Sequence, residues 1–400
     1  MTNFTIEVNK KAATGDYEFR LTGESITPWE ADIASHEGNM KEYVVINVPK
    51  AGTLKECIAA AGKDYTRIQN LKITGQIDIV DFIFMGDMTN LSALNLKEVK
   101  IKKRVNEYGH EYAEDAIPEI AFSIDNNNVP RLYNLALPDN LKTIGGKAFY
   151  GQSLSGSLII PEGVKEIGSG AFDGCINLTG TLSLPSTLEV IENFAFDLCG
   201  FTCELLLPQN LNSLGFKAFF GCRGLYGNLI LPDGLSKIGG YGFSDCRHLT
   251  GLKMSQNIKE IWEAAFSDCY ELNGRLTLPE GLKYIGSSVF RNCKFKGTLV
   301  LPLTLKSVGD NAFSYNMFSG ELKLPSSLQE LGSGAFACCS RIIGTLEIPE
   351  NITAIKEQAF SGCSSIEKLV LHSRLLWLRK HCLQCSKSAL CRKFSFRWCI

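Results

Sequence analysis

Four stretches of this chain carry residue types from which chemistry is made. Cys246 and His248 stand two apart, the pairing that activates a thiolate nucleophile. His381, Cys382, Cys385, Cys391 and Cys399 crowd the C-terminus, and the C-x-x-C among them is half of a zinc knuckle. Asp125-Asn126-Asn127-Asn128 begins like a calcium loop, and Ile167-Gly168-Ser169-Gly170 begins like a phosphate-binding turn. The calcium loop lacks the glycine and glutamate that would complete it, so a polar turn is expected. The phosphate turn lacks its lysine and a helix to open. Cys246 belongs to a regular column of cysteines, which suits packing better than catalysis, and His248 falls in a variable surface slot. The five histidines lie in unrelated contexts. No catalytic residues, no metal and no cofactor are therefore expected, and the chain is read as no enzyme.

What positions these residues is a repeat. Prolines recur at 138, 161, 185, 208, 232, 279, 302, 325 and 349, with Ser255 in the one vacated slot. Phenylalanines recur at 149, 172, 196, 219, 243, 266, 290, 313, 336 and 360. Both markers keep an alternating step of 23 or 24 residues, the signature of a solenoid in which each coil contacts only its neighbours. Leu182-Ser183-Leu184 alternates as a half-buried strand does, and Pro185 ends it by lacking the N–H a continuing ladder needs. Val164 and Ile167 form a second short apolar pair, and Gly168 closes it, here read as a turn conformation that other residues resist. Ala171-Phe172 sets a small residue beside a large one to fill the interior. Like residues then stack at about 4.8 Å, so ten coils extend roughly 50 Å.

The run LxLPxxLxxIGxxAFxxCxxL, present as LILPDGLSKIGGYGFSDCRHL and LTLPEGLKYIGSSVFRNCKF, resembles the BspA-like class of leucine-rich repeats over about 240 residues. The expected fold is a β-rich solenoid: a leucine-rich repeat array of 23/24-residue coils with short parallel strands and an N-terminal α/β cap. Departures are few. Met254-Ser255 replaces Leu-Pro, Asn316 and Gln152 each replace a cysteine, and Cys203 replaces a glycine. The resemblance implies a cell-surface or secreted protein of a host-associated microbe, adhesins for matrix proteins among its class.

Eight of the fifteen cysteines, Cys175, Cys199, Cys222, Cys246, Cys269, Cys293, Cys339 and Cys363, follow the repeat phenylalanine by three residues. One column repeats one Cβ vector, which suits small buried hydrophobes with thiols on neighbouring carbonyls. Cross-coil disulfides or a soft-metal ladder is the alternative, and bridging requires Cβ vectors directed at one another.

Outside the repeats the pattern changes. Residues 1–48 hold three alternating segments, Phe4–Val8, Tyr17–Leu21 and Tyr43–Val48, that read as strands. MTNFTIEVNKK has no apolar core stretch, which implies either a cytoplasmic protein or a start downstream of a removed leader. Residues 49–100 read as a cap with early repeats: Thr53-Leu54-Lys55-Glu56 has capping-box spacing ahead of a helix, and Leu71 and Leu94 already stand 23 apart. Residues 101–130 read as a charged solvated loop and then a degenerate coil, Ile117-Pro118-Glu119-Ile120-Ala121-Phe122. The coils proper span 131–373. From Arg374 the tail gains seven Lys/Arg and no acid and abandons the pattern, which suggests a shifted reading frame more than a zinc site.

The remaining 373 residues carry 34 basic and 42 acidic side chains. A mildly acidic body argues against nucleic acid, and no run of eighteen apolar residues spans a bilayer. A monomer is expected. What the array offers is surface. Outward positions between paired leucines are Ala136, Ile159, Ser183, Leu206, Ile230, Lys253, Thr277, Val300, Lys323 and Glu347, and the eight from Ile159 to Lys323 are the candidate ligand-binding row. A second row runs Lys142, Lys165, Glu189, Asn212, Ser236, Lys259, Lys283 and Lys306, suited to an acidic partner or simply to solubility. The expected function is adhesin-like binding of a host or matrix protein, or a glycan. The alternative is an intracellular protein–protein scaffold, consistent with free thiols.

Overall fold

The computed structural model describes residues 5–10, 17–22, 43–125, 129–379 and 382. Two units divide the chain at Glu42 and Tyr43. In the first, Thr5–Lys10 and Tyr17–Thr22 pair antiparallel, Ile6 opposite Leu21 and Val8 opposite Phe19. The second holds the cap and every coil.

The cap starts a parallel sheet. Val44–Val48 pairs with Asn70–Ile77, which pairs with Ala93–Ile101, which pairs with Asn134–Ala136. Leu71 faces Leu94 and Leu94 faces Leu135, so the repeat register is running before the first full coil. The helix Leu54–Ala60 forms, but not through the capping box its sequence suggests. Thr53 Oγ1 donates to Lys50 O at 2.6 Å. The Asp81 carboxylate takes its place: it accepts from Leu54 N at 2.8 Å and Gly52 N at 2.6 Å. Asp81 also accepts from Asp78 N, closing a capping box at the start of the helix Ile79–Gly86. One buried carboxylate thus satisfies orphan N–H groups of two helices.

The charged stretch after Ile101 is more ordered than a solvated loop. Arg104–Val105 and Glu111–Tyr112 pair antiparallel, with Lys103 on Glu111 at 2.6 Å, Lys102 on Glu114 at 2.7 Å and Arg104 reaching Asp78 at 2.8 Å. Ala116–Ile117 then joins Thr143–Ile144, and Phe122 enters the core.

Many coils contribute two short strands. The Ile strands stack in parallel, Ile144 on Ile167 on Ile191 on Leu214, and resume as Ile238, Ile261, Ile285, Val308 and Leu331. The Leu strands stack on the other side of the coil, Leu158 beside Leu182 and Leu229 beside Leu252. Proline follows the Leu pair in most coils and its carbonyl turns the chain, accepting from Leu188 N at Pro185 and from Leu211 N at Pro208. Ser255 does the same job with its carbonyl, which accepts from Ile258 N at 3.4 Å, and its hydroxyl also accepts from Asn257 N at 3.0 Å.

Between the two sheets runs a phenylalanine stack. From Phe122 through Phe149 and Phe172 to Phe360, successive rings are 5.2–5.8 Å apart and within 19° of parallel. Offset stacking at this distance adds roughly 0.5–1.5 kcal/mol per pair beyond burial. Phe82 from the cap helix meets Phe122 edge-on at 6.2 Å and closes that end of the core.

Two further expectations are corrected here. Gly168 is present for space, not for an unusual turn: a Cβ there would lie 2.6 Å from Gly146 N, and at Gly332 2.3 Å from Gly309 C. The left-handed positions flank the phenylalanine instead, two before and two after, and side-chain-bearing residues such as Phe194, Lys217, Leu198 and Asp245 occupy many of them. The second correction concerns Arg374. The coil geometry runs past it: Trp377–Leu378 pairs with Ala354–Ile355, and Phe360 N donates to Cys382 O at 2.9 Å. Cys382 is buried where earlier coils place alanine. His381, Cys385, Cys391 and Cys399, and with them the zinc and frame-shift readings, lie outside the described residues, as do Asn126, Asn127 and Asn128 of the expected polar turn.

Candidate binding surface

The outward row is built by strict alternation. Leu205 and Leu207 are buried and Leu206 between them is 69% exposed. Leu229 and Leu231 are buried around Ile230, 49% exposed, and Leu299 and Leu301 around Val300, 53% exposed. Ser183, Lys253, Thr277 and Lys323 are exposed at the same place in their coils. Register holds the row together: Ile159 pairs with Ser183, Ile230 with Lys253 and Val300 with Lys323. Ile160 N donates to Ser183 O at 3.0 Å and Leu231 N to Lys253 O at 2.9 Å, which fixes the side chains between. At the N-terminal end the row sinks. Ala136 and Ile159 are only half-exposed, so the open apolar part is Leu206, Ile230 and Val300.

The strand Tyr226–Ile230 begins with Tyr226, exposed and paired with His248, ahead of a register shift between Gly227 and Asn228. The leucine pair alone does not reveal that the strand starts so early.

The second row stacks as expected from its spacing. Lys165 N donates to Lys142 O, and Lys283 N to Lys259 O, each at 2.8 Å. Its charges are partly answered: Lys165 Nζ lies 2.9 Å from Glu189 and Lys142 Nζ 3.1 Å from Asp115. Lys259, Lys283 and Lys306 are exposed.

The cysteine positions are interior. Cys175, Cys199, Cys222, Cys246, Cys269, Cys293, Cys339 and Cys363 are buried. Each Sγ donates to the carbonyl of the phenylalanine one coil back, for example Cys246 to Phe219 O at 3.2 Å and Cys269 to Phe243 O at 3.1 Å. Burial pushes the Cys175 and Cys339 thiols up to about 12, and Cys246 well above the ordinary thiol range. The substitutes keep the bond. Asn316 Nδ2 donates to Phe290 O and Gln152 Nε2 to Phe122 O, both at 2.6 Å. His248 lies against Glu271 at 3.3 Å while the Cys246 thiol faces Phe219, so the two do not form a dyad. Among the described residues no three His, Cys, Asp or Glu side chains converge as metal ligands, and no helix is long and apolar enough to cross a membrane.

A parallel solenoid whose coils repeat a leucine segment, a proline stop and a phenylalanine spine is a leucine-rich repeat protein. The model of the BspA type leucine rich repeat region matches residues 115–227, 203–319 and 297–394, and the chain belongs to that family. The match also continues beyond Arg374, as the coil geometry does. Among solved structures, a leucine-rich repeat protein from Bacteroides ovatus is 20% identical, with a TM-score of 0.55 over 93% of this chain and 76% of that one. A leucine rich cell surface protein from Faecalibacterium prausnitzii is also 20% identical, with a TM-score of 0.40 over 82% and 84%. The leucine-rich repeat protein of T. pallidum is 25% identical, with a TM-score of 0.36 over 48% of this chain and 86% of that one. No curated protein matches the chain.

Proposed function

We propose that this protein is a non-catalytic, adhesin-like binding protein, displayed at a cell surface or secreted, whose leucine-strand face grips a host or matrix protein or a glycan. The observation that carries the reading is the exposed apolar part of the row, Leu206, Ile230 and Val300, each held between two buried leucines. Side chains so fixed lose little freedom on binding, and contiguous exposed apolar surface is where partners dock. Tyr226, in the same strand as Ile230, adds an amphipathic ring of the kind enriched at binding hot spots. Lys253 and Lys323 in the same row add charge for a polar rim. Membership of the BspA-type family supports a surface or secreted location.

The test is a solid-phase screen of the full chain against matrix proteins and glycans, repeated with Leu206→Asp and Ile230→Asp. Loss of a captured partner in both variants, with unchanged thermal unfolding, supports the row as the site. Undiminished capture by both variants removes it.

The intracellular scaffold is the second reading, and Cys338, an exposed free thiol, is the observation that favours it.

A further inference from the structure

About half a coil along the chain from the leucine row, the turns around Phe196, Phe219 and Phe243 gather a second set of side chains. Two residues before these phenylalanines the backbone is left-handed, and the three positions hold Phe194, Lys217 and Tyr241. The turns are tied coil to coil, Phe194 N to Phe216 O at 2.8 Å and Lys217 N to Gly240 O at 2.9 Å. Lys217 Nζ stands 4.7 Å from the centre of the Phe220 ring, 5.7 Å from those of Phe194 and Phe216, and 5.8 Å from that of Tyr241. The rings brace one another edge to face: Phe194 on Phe216 at 5.4 Å, Phe216 on Tyr241 at 5.5 Å and Phe220 on Tyr241 at 6.3 Å. All four rings are half-buried, as is Lys217.

An acid stands beside this box. Asp197 shares a turn with Phe194, its N–H donating to Phe194 O at 3.1 Å, and Phe220 holds its place one coil on, where Leu198 N donates to Phe220 O. Asp197 is only 7% exposed, and among the described residues its buried Oδ1 has no hydrogen-bond partner. The neighbouring acid, Asp173, occupies the same place one coil back. Burial pushes both carboxyls up to about 6, with Lys217 pulling each of them down. An unmet buried acceptor is costly, and the faces of four rings attract positive charge.

We propose that the box of Phe194, Phe216, Phe220 and Tyr241, with Asp197 behind it, is a binding site for an alkylammonium group. In the unliganded chain Lys217 fills it, and a ligand displaces that side chain. Lys217 meets the rings but leaves Asp197 Oδ1 without a donor, whereas a ligand that keeps one N–H can satisfy both. The class the site suits best is therefore a mono- or dialkylated amine, such as a methylated lysine side chain, ahead of a quaternary ammonium with no N–H to give. This site is separate from the leucine row, and its failure leaves the row's test untouched.

The experiment uses the full chain, with free dimethyllysine and tetramethylammonium as probes, followed by calorimetry and ligand-observed NMR. Lys217→Ala empties the box and is expected to bind dimethyllysine at least tenfold more tightly than the parent chain. Phe220→Leu keeps the apolar bulk but removes the ring face, so Lys217→Ala combined with Phe220→Leu is expected to lose that gain. Asp197→Asn in the Lys217→Ala background is expected to weaken dimethyllysine more than tetramethylammonium. The proposal is overturned if neither the parent nor Lys217→Ala binds either probe saturably, or if Phe220→Leu leaves the affinity of Lys217→Ala unchanged.

Discussion

Cys293 Sγ donates to the carbonyl of Phe266, 3.2 Å away and 27 residues earlier in the chain. That carbonyl also accepts from Cys269 N in its own turn, so the thiol fills the second acceptor site of a group with no access to water. The relationship explains why Cys, Asn and Gln all occur at this place in the coil. Each is a donor that can reach one step back.

Removing that donor has a graded cost. Cys293→Ala loses one modest hydrogen bond and leaves a small void, about 1–2 kcal/mol. Asn316→Ala leaves both Phe290 O and Phe295 N without their partner and is expected to cost more, about 2–4 kcal/mol. Asn316→Cys is expected to recover part of it. Urea unfolding midpoints of the three variants check the order, and equal losses for Cys293→Ala and Asn316→Ala contradict it.

Truncating the spine tests the stack itself. Phe266→Ala removes a fully buried ring held between Phe243 and Phe290 at 5.6 Å, for an expected loss of about 3–5 kcal/mol. Phe266→Leu retains most of the volume and is expected to cost less than half as much. Because coils touch only their neighbours, hydrogen exchange in Phe266→Ala should rise first in the coils on either side. A uniform rise along the array speaks against this.

Asp197 makes stability depend on pH in a predictable sense. Its carboxyl is raised in the folded chain from the usual 3.8 to about 6, by burial first and by Asp173 second, against Lys217. The folded form thus holds its proton longer than the unfolded one, and the contribution present below pH 4 is lost as pH rises through 6. Asp197→Asn is therefore expected to raise the unfolding free energy at pH 8 by about 1–2 kcal/mol and to change little at pH 4. Melting curves at the two pH values decide it; stabilisation at pH 4 alone has the wrong sign. Asp125, Asp173, Lys147 and Lys217 are the charges in this neighbourhood, so Lys217→Ala should enlarge the effect.

Thiol reactivity should separate surface from spine. At pH 8 in the folded state, iodoacetamide is expected to modify the exposed Cys338 first among the described cysteines and the half-buried Cys57 more slowly. The eight column thiols, all buried, should react only on unfolding. Mass spectrometry of the labelled chain reads this directly, and early labelling of Cys246 contradicts it.

A gain is expected at the turns. Ser288 sits at φ 57°, a conformation that costs a side-chain-bearing residue about 1 kcal/mol. Ser288→Gly should raise the unfolding free energy by a similar amount, seen as a higher melting temperature. A fall would mean that the lost side chain matters more than the relieved backbone.

The repeats were legible because each physical task recurs in every coil. Leucine, proline, alanine and phenylalanine mark the strand, its stop and the spine, and chance does not hold two such markers in step. Other features depend on contacts that no local pattern records. Asp81 caps a helix that starts 27 residues earlier, so the spacing around Thr53 pointed to the wrong donor set. Gly168 looked like a turn residue because only stacking reveals how closely the neighbouring backbone approaches. The coil at Trp377-Leu378 lacks the Ile-Gly and Pro that announce the others, although Leu371, Leu375 and Leu378 keep its apolar spacing. The aromatic box was invisible for the same reason. Phe194, Phe216, Phe220 and Tyr241 occupy variable slots in different coils, and they converge only because the solenoid superimposes those slots.

The claim that matters most is that this array is a surface for partners outside the cell. Proteolysis of intact native cells, read with an antibody raised against the coils, tests it most directly. The account predicts that external protease removes the antibody signal while cytoplasmic markers survive. Full protection until lysis would contradict it and move the search for partners inside the cell.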